Sequence, residues 1–204
     1  NLLEAVWALT GGKSFRASRD LELIRQGQAF SVLEGTLFCE ERTQTLRLTV
    51  GSPSSPRPGR TMSRNGTPPV RAASLAGLFT AVVFDPNHLS LIKGGPEGRR
   101  RFLDTALCQL YPAYLKLLRR YGRIVTQKNS LLRECRGQFS LSRSQVDLLD
   151  VCDRQLADTG EELSRRRQSY LEALAPLAVA NYSEISSGRE QLALRYLPSF
   201  GSEG

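Results

Sequence analysis

The apolar periodicity of this chain changes character at Gly94-Gly95-Pro96, and that switch limits the fold more than any other feature. Before it, residues alternate as they do in strands. Phe30 to Cys39 is rich in β-branched and aromatic side chains, while Leu46, Leu48 and Val50 alternate with polar neighbours, so both stretches read as strands. Ser52 to Gly59 is dense in Ser, Pro and Gly and reads as an exposed loop; Asn65-Gly66 reads as a hairpin turn. Thr80 to Phe84, a continuous apolar run, is expected as a short buried strand. Ahead of all these, Leu2, Leu3, Val6 and Leu9 keep helical spacing with no capping residue in front. That is the pattern of a helix whose first turn precedes Asn1, and Gly11-Gly12 is expected to end it.

After the switch, Leu103, Leu107, Leu110, Tyr114, Leu117, Leu118 and Tyr121 recur every three or four residues, with a kink or break expected at Pro112. A further helix is predicted to start at Ser142, where Gln145 supplies the capping-box partner, and to run through Val146, Leu149 and Leu156 towards Gly160. Another covers Glu161 to Ala175, with Pro176 kinking or ending it. Gln191 to Tyr196 alternates again and reads as a strand. The outline is therefore α+β: a sheet-containing segment, a helical excursion, and a return. A separate helical domain would not require the chain to come back.

Charge is localised. The chain carries +8 overall, and from Arg99 to Arg167 there are 15 Lys/Arg against 8 Asp/Glu, a surplus of +7. Such a segment points to a polyanionic partner, usually nucleic acid; the plainer reading is an arginine-rich solvated helical surface. No run of about 18 apolar residues suits a membrane span, and no charged-then-apolar leader is visible. Cys39, Cys108, Cys135 and Cys152 are scattered without a CxxC pair beside a lone histidine, which argues against zinc and for reduced thiols.

No constellation looks catalytic. His88 is the only histidine, and no Ser or Cys nucleophile has a base near it in sequence. Gly11-Gly12 and Gly94-Gly95 lack the GxxxxGK[ST] spacing of a phosphate loop and read as turn glycines.

Three stretches carry a family resemblance. Asn1-Leu2-Leu3-Glu4-Ala5 resembles the helix that directly follows the phosphate loop in the RecF family and in chromosome-maintenance ATPases. Gly12-Lys13-Ser14-Phe15-Arg16, followed by Leu23-Ile24 and Gly27, resembles the RecF segment after that helix. The most specific match runs from Val82-Val83-Phe84-Asp85-Pro86 through Lys93-Gly94-Gly95-Pro96 and Arg99-Arg100-Arg101-Phe102-Leu103-Asp104. It continues through Tyr114 and Tyr121 to Gln127-Lys128-Asn129-Ser130-Leu131-Leu132. The chain departs from the family at Asn87-His88, where acidic residues are usual, and at Lys128, where Arg is usual.

The resemblance implies a partial ABC-type ATPase head lobe, a mixed β-sheet with helix, over residues 1–95. An inserted helical arm domain would cover 96–180, and a return strand to the head 181–204. In the family, the Walker A loop comes before the stretch matching Asn1, and the signature helix and Walker B strand come after Gly204. This chain is therefore expected to be inactive as an ATPase, with no catalytic or metal-binding residue of its own. The intact protein is implied to use ATP and Mg²⁺, to form a homodimer with ATP, and to bind single- and double-stranded or gapped DNA. It is further implied to act with RecR, RecO and RecA in the cytoplasm and in the SOS response. The alternative is a non-enzymatic basic helical DNA-binding module.

By the same resemblance, Asn1 and Arg16 are expected near nucleotide, and Arg16 also facing DNA. Arg99 and Arg100, at the start of the first arm helix, are expected to meet phosphate or Asp104. Arg119, Arg120 and Arg123 form a cationic face opposite Leu117, Leu118 and Tyr121. Arg165, Arg166 and Arg167 spread over too wide an arc for one phosphate track, so at least one is expected as solvated surface. Tyr111, Tyr114 and Tyr121 are expected in the core rather than as stacking platforms.

Overall fold

In a computed structural model the chain divides into two compact units, Asn1–Pro112 and Ala113–Gly204. The structure describes residues 2–12, 19–39, 41–71, 77–84, 86–137 and 140–198.

The first unit is built on a four-stranded sheet: β1 (Phe30–Cys39), β2 (Arg42–Gly51), β3 (Gly59–Arg64) and β4 (Val70–Arg71), in that order with every pairing antiparallel. β1 and β2 pair along all ten residues of each, from Phe30 opposite Gly51 to Cys39 opposite Arg42. The alternation at Leu46, Leu48 and Val50 does what its period requires and turns all three to one face, where they are fully buried with Met62 of β3. Helix α1 (Leu2–Leu9) covers that face with Ala8 and Leu9, and Leu33, Leu37, Leu23, Ile24, Leu78 and Phe79 close the margin. At Gly35 a Cβ would stand 2.7 Å from Leu9 Cδ1, so the bare backbone lets α1 approach β1.

The expected turn forms at Asn65-Gly66. Both residues have positive φ, 50° and 72°, and Thr67 N–H donates to Arg64 carbonyl at 3.0 Å. Asn65 also continues the β2–β3 ladder: its N–H donates to Thr45 O and its Oδ1 accepts from Thr45 N–H, both at 2.8 Å. Helix α1 ends as expected before Gly11, whose φ is 84°.

Arg60 of β3 fastens α1 to the sheet. Its guanidinium donates to Gly12 O at 2.7 Å and Ala8 O at 3.2 Å, two carbonyls at the C-terminal end of the helix, and lies 3.8 Å from an Asp20 carboxylate oxygen. Burial pushes its pKa down from the ordinary arginine value, and the Asp20 charge opposes that fall.

Thr80 to Phe84 is not a strand. Residues 80–84 run without a ladder partner, with Val82 fully exposed and Phe84 88% exposed. A strand needs a neighbour's N–H and C=O, and residues 80–84 pair with neither edge strand of the sheet, β1 or β4. Instead, Ala81 N–H donates to the buried Gln109 Oε1 at 2.9 Å, which ties the segment to a helix. That helix, α3 (Pro96–Leu110), follows the short α2 (Ser90–Lys93) and belongs to the first unit. Gly95 is its N-cap and Pro96 its first residue, where a missing N–H removes no helical bond. The break expected at Pro112 occurs: Tyr111 turns extended and Pro112 opens α4.

The second unit is a helical hairpin of α4 (Pro112–Glu134) and α5 (Arg143–Ser186). Lys128 on α4 pairs with Asp153 on α5, and Arg167 on α5 donates to Tyr114 Oη on α4 at 3.2 Å. Tyr114 to Lys128 and Arg167 back to Asp153 are both steps of fourteen residues, which makes the helices antiparallel and in constant register. Their facing positions, with Tyr114, Ile124, Cys152, Thr159 and Leu163 buried, repeat at the three–four spacing of a coiled-coil seam. The capping box at Ser142 is present, each partner serving the other's backbone N–H.

The two helices expected on either side of Gly160 are one helix of 44 residues. A stop glycine needs positive φ, and Gly160 is not among the residues that have it; it is buried within a seam that continues unbroken to Leu163. Pro176 also sits inside the helix without ending it. Termination comes at Ser187, φ 54°, where Gly188 N–H reaches back to Ser183 O at 2.8 Å. The strand expected over Gln191 to Tyr196 is likewise absent. Those residues have alternating burial but no ladder partner, and Tyr196 Oη reaches Ser164 Oγ of α5 at 3.3 Å. Tyr182 donates to Glu190, and that bond, with the carboxylate charge, raises the phenol pKa.

Candidate nucleic-acid interface

Helix α4 carries six Lys/Arg and one acid, Glu134 at its last position. Lys116, Arg119, Arg120 and Arg123 stand at i, i+3, i+4 and i+7, which places them within an arc of about 100° over two turns, about 10 Å along the axis. All four are exposed, whereas Tyr114 and Ile124 are buried and Leu117, Leu118 and Tyr121 half-buried on the other side. Among the described residues none of the four joins an ion pair. Like charges three or four apart destabilise a helix by about 0.2–0.5 kcal/mol per pair, and this stripe contains four such pairs with no acid beside them. The expected face of Arg119, Arg120 and Arg123 is thus assembled, and Lys116 extends it; only the helical spacing could have revealed Lys116 in the sequence.

Helix α5 is the opposite. From Arg143 to Glu162 it has six acids and two arginines. Asp147, Asp150, Asp158 and Glu161 are exposed along one line, with Arg154 among them, opposite the seam of Leu149, Cys152, Leu156, Thr159 and Leu163. This acidic line was invisible to a count over the whole basic segment. Glu162 sits off it and accepts from Arg165 Nε at 3.0 Å and Arg166 Nε at 2.6 Å. Those two hydrogen bonds, Arg165's first, hold its carboxyl below the usual carboxylate range. With Arg167 on Tyr114, all three arginines of this run have intramolecular partners, so none is a purely solvated cation.

Other expected site residues fall elsewhere. Arg99 donates to Leu91 O at 3.1 Å and Gly94 O at 2.9 Å, so its guanidinium closes the end of α2. Arg100 is exposed on α3, next to Arg101, which pairs with Glu97. Asn1 and Arg16 lie outside the described residues. Tyr114 is in the core, Tyr121 half-buried and Tyr111 half-exposed. His88 packs edge-on against Phe102, ring centroids 6.4 Å apart, which suits a structural part. Among the described residues no group of three or more His, Cys, Asp or Glu is placed to hold a metal, and no helix is long and apolar enough to cross a membrane. Cys108, Cys135 and Cys152 are free thiols.

No family model matches the sequence. Individual relatives do, along nearly the whole chain. It is 42% identical to the DNA replication and repair protein RecF of Synechococcus sp. (strain JA-2-3B'a(2-13)), covering 97% of this chain and 50% of that protein. It is 36% identical to RecF of Macrococcus caseolyticus, covering 100% and 53%, and 35% identical to RecF of Bacillus cereus, covering 98% and 51%. Curated homologues named RecF thus match nearly the whole of this chain at 35–42% identity. It spans about half the length of the curated relatives it matches. Solved structures agree: the recombination mediator protein RecF with ATP in the RecFOR pathway superposes with a TM-score of 0.85 at 27% identity, over 100% of this chain and 52% of that one. A second RecF structure from the same pathway, RecF-ATPrS, gives 0.80 at 26%, over 91% and 48%. The matched RecF fold accounts for the pairing of a small antiparallel sheet with a long helical hairpin.

Proposed function

We propose that this chain is the part of a RecF-type DNA-repair ATPase that contributes one lobe of the nucleotide-binding head and the helical arm that handles DNA. The observation that carries the reading is the unneutralised cationic stripe on α4, in a chain whose relatives are DNA replication and repair proteins. The intact protein would bind ATP with Mg²⁺, dimerise around it, clamp gapped DNA, and assist RecA loading together with RecO and RecR in the cytoplasm, within the SOS response. Asn1 and Arg16 would lie towards the nucleotide, Arg16 also towards DNA, and Arg100, Arg119, Arg120 and Arg123 would supply phosphate contacts. Arg99, already engaged with two carbonyls, would act by holding α2 and α3 together. The reading of a basic module without ATPase ancestry loses ground to the likeness to the RecF-ATP structure.

Residues 1–204 contain no GxxxxGK[ST] run, the loop whose backbone N–H groups and lysine cradle phosphates while its hydroxyl holds Mg²⁺. Calorimetric titration of this chain with Mg-ATP should therefore give no saturable heat, whereas the full-length protein should bind. Micromolar binding by the 204 residues alone would sink this division of labour.

A further inference from the structure

We infer that the arm hairpin is electrostatically two-faced and docks the phosphate backbone of duplex DNA through α4 alone, with Lys116, Arg119, Arg120 and Arg123 on the DNA and the acidic line of α5 turned away. The inference rests on the DNA-handling reading above and adds to it the surface and the orientation.

Three observations carry it. First, the four cations form one straight stripe on a rigid helix, exposed and free of ion pairs among the described residues. Its length of about 10 Å covers about three phosphate-to-phosphate steps of one strand at 3.4 Å of axial rise, which is about four phosphates for four cations. Second, the stripe lacks what other partners need. Tyr114 is buried and Tyr121 half-buried, so no exposed ring stands among the cations to stack an unpaired base. The only large apolar side chain of α4 that is clearly exposed is Leu132, nine residues beyond Arg123, so the stripe has no apolar anchor for a protein partner. Third, Asp147, Asp150, Asp158 and Glu161 lie directly opposite the α5 seam, on the far side of the hairpin from α4. A polyanion approaching that side meets repulsion. One approaching α4 meets attraction. The antiparallel register fixed by Lys128–Asp153 and Arg167–Tyr114 keeps the two lines apart.

The test uses the 204-residue chain, a labelled mixed-sequence 20-base-pair DNA duplex and fluorescence anisotropy over a salt series. Four phosphate contacts predict a slope of log affinity against log salt of about −3.6. Replacing Lys116, Arg119, Arg120 and Arg123 by Ala should reduce affinity at least tenfold and bring the slope close to zero, while replacing the three arginines by Lys, which keeps the charge, should leave the slope unchanged. Asp147→Asn, Asp150→Asn, Asp158→Asn and Glu161→Gln together should raise affinity several-fold. A photo-crosslinking residue at Gln127, next along the α4 face, should capture DNA, and one at Ala157 on the outer side of α5 should not. Circular dichroism checks that each variant keeps its helices. Binding that survives the fourfold Ala change, crosslinking at Ala157, or tighter binding of the single-stranded form overturns the inference but leaves DNA handling standing. No binding of the unaltered chain to either form, even at low salt, overturns both.

Discussion

Arg60 shows how much a single buried cation can decide in the head lobe. Its side chain is only 12% exposed, and two of its donors are spent on the carbonyls of Gly12 and of Ala8, the latter also accepting from Gly11 N–H at 3.1 Å. Charged hydrogen bonds of this kind contribute about 1.5–3 kcal/mol each, less once desolvation is counted. Arg60→Ala should lower stability by about 2–3 kcal/mol, by removing both charged hydrogen bonds and leaving Gly12 O without the guanidinium. Arg60→Lys should rescue little, since one ammonium cannot replace a planar fork that reaches two carbonyls and a carboxylate. Chemical denaturation of the three proteins decides it: a Lys variant as stable as the parent would mean that charge, not geometry, is what the site needs. Nothing local distinguishes Arg60 from Arg57 or Arg64 in the sequence; only the arrival of α1 over β3 gives it carbonyls to hold.

At the scale of elements, the termini follow local chemistry and the lengths do not. Ser142 and Gln145 cap α5 where sequence places them, and Pro112 separates α3 from α4 by the same logic. Ser142→Ala should cost about 1 kcal/mol, the usual worth of a lost N-cap. Thermal melts followed by helical circular dichroism will show it, with Ser144→Ala as the neighbouring control expected to change little. A Ser142→Ala midpoint equal to the parent's would mean that the hairpin's seam alone fixes where α5 begins. Gly160 and Pro176 carry local penalties of about 1 and 3 kcal/mol, yet α5 continues through both. Around Gly160, seam contacts from Cys152 to Leu163 outweigh the propensity, as helical stability comes chiefly from the packed face.

At the scale of the whole molecule, the described residues leave a stretch of apolar surface exposed. Val82, Phe84, Leu89 and Ile92 are exposed at 64% or more within eleven residues, a density at which surfaces tend to associate. Val82→Thr with Phe84→Ser should suppress concentration-dependent light scattering while leaving the thermal midpoint unchanged, because neither side chain is packed in this chain. A clear fall in the midpoint would place them in a core instead. The same comparison in the full-length protein asks whether the segment gains a neighbour there: a destabilisation seen only in the longer chain would say that it does.

The sequence by itself determined what depends on neighbours in the chain. The period-2 face of β2, the Asn65-Gly66 turn, the cap at Ser142, the break at Pro112 and the arginine face of α4 are each set by residues a few positions apart. The likeness of Val82 to Leu132 to RecF was equally legible, because motifs survive in order along a chain. Tertiary structure decided what depends on distant partners. Thr80–Phe84 and Gln191–Tyr196 have strand composition, but a strand exists only where another edge accepts its hydrogen bonds, and one segment found Gln109 while Tyr196 of the other reaches Ser164 of α5. Arg99 and Arg167 look as free in sequence as Arg119, yet folding gave them two carbonyls and a phenol, whereas Arg165 and Arg166 meet Glu162 locally, three and four residues back on their own helix. Which cations remain for a partner is therefore a property of the fold: formal charge is written residue by residue, and neutralisation is settled by what comes within reach.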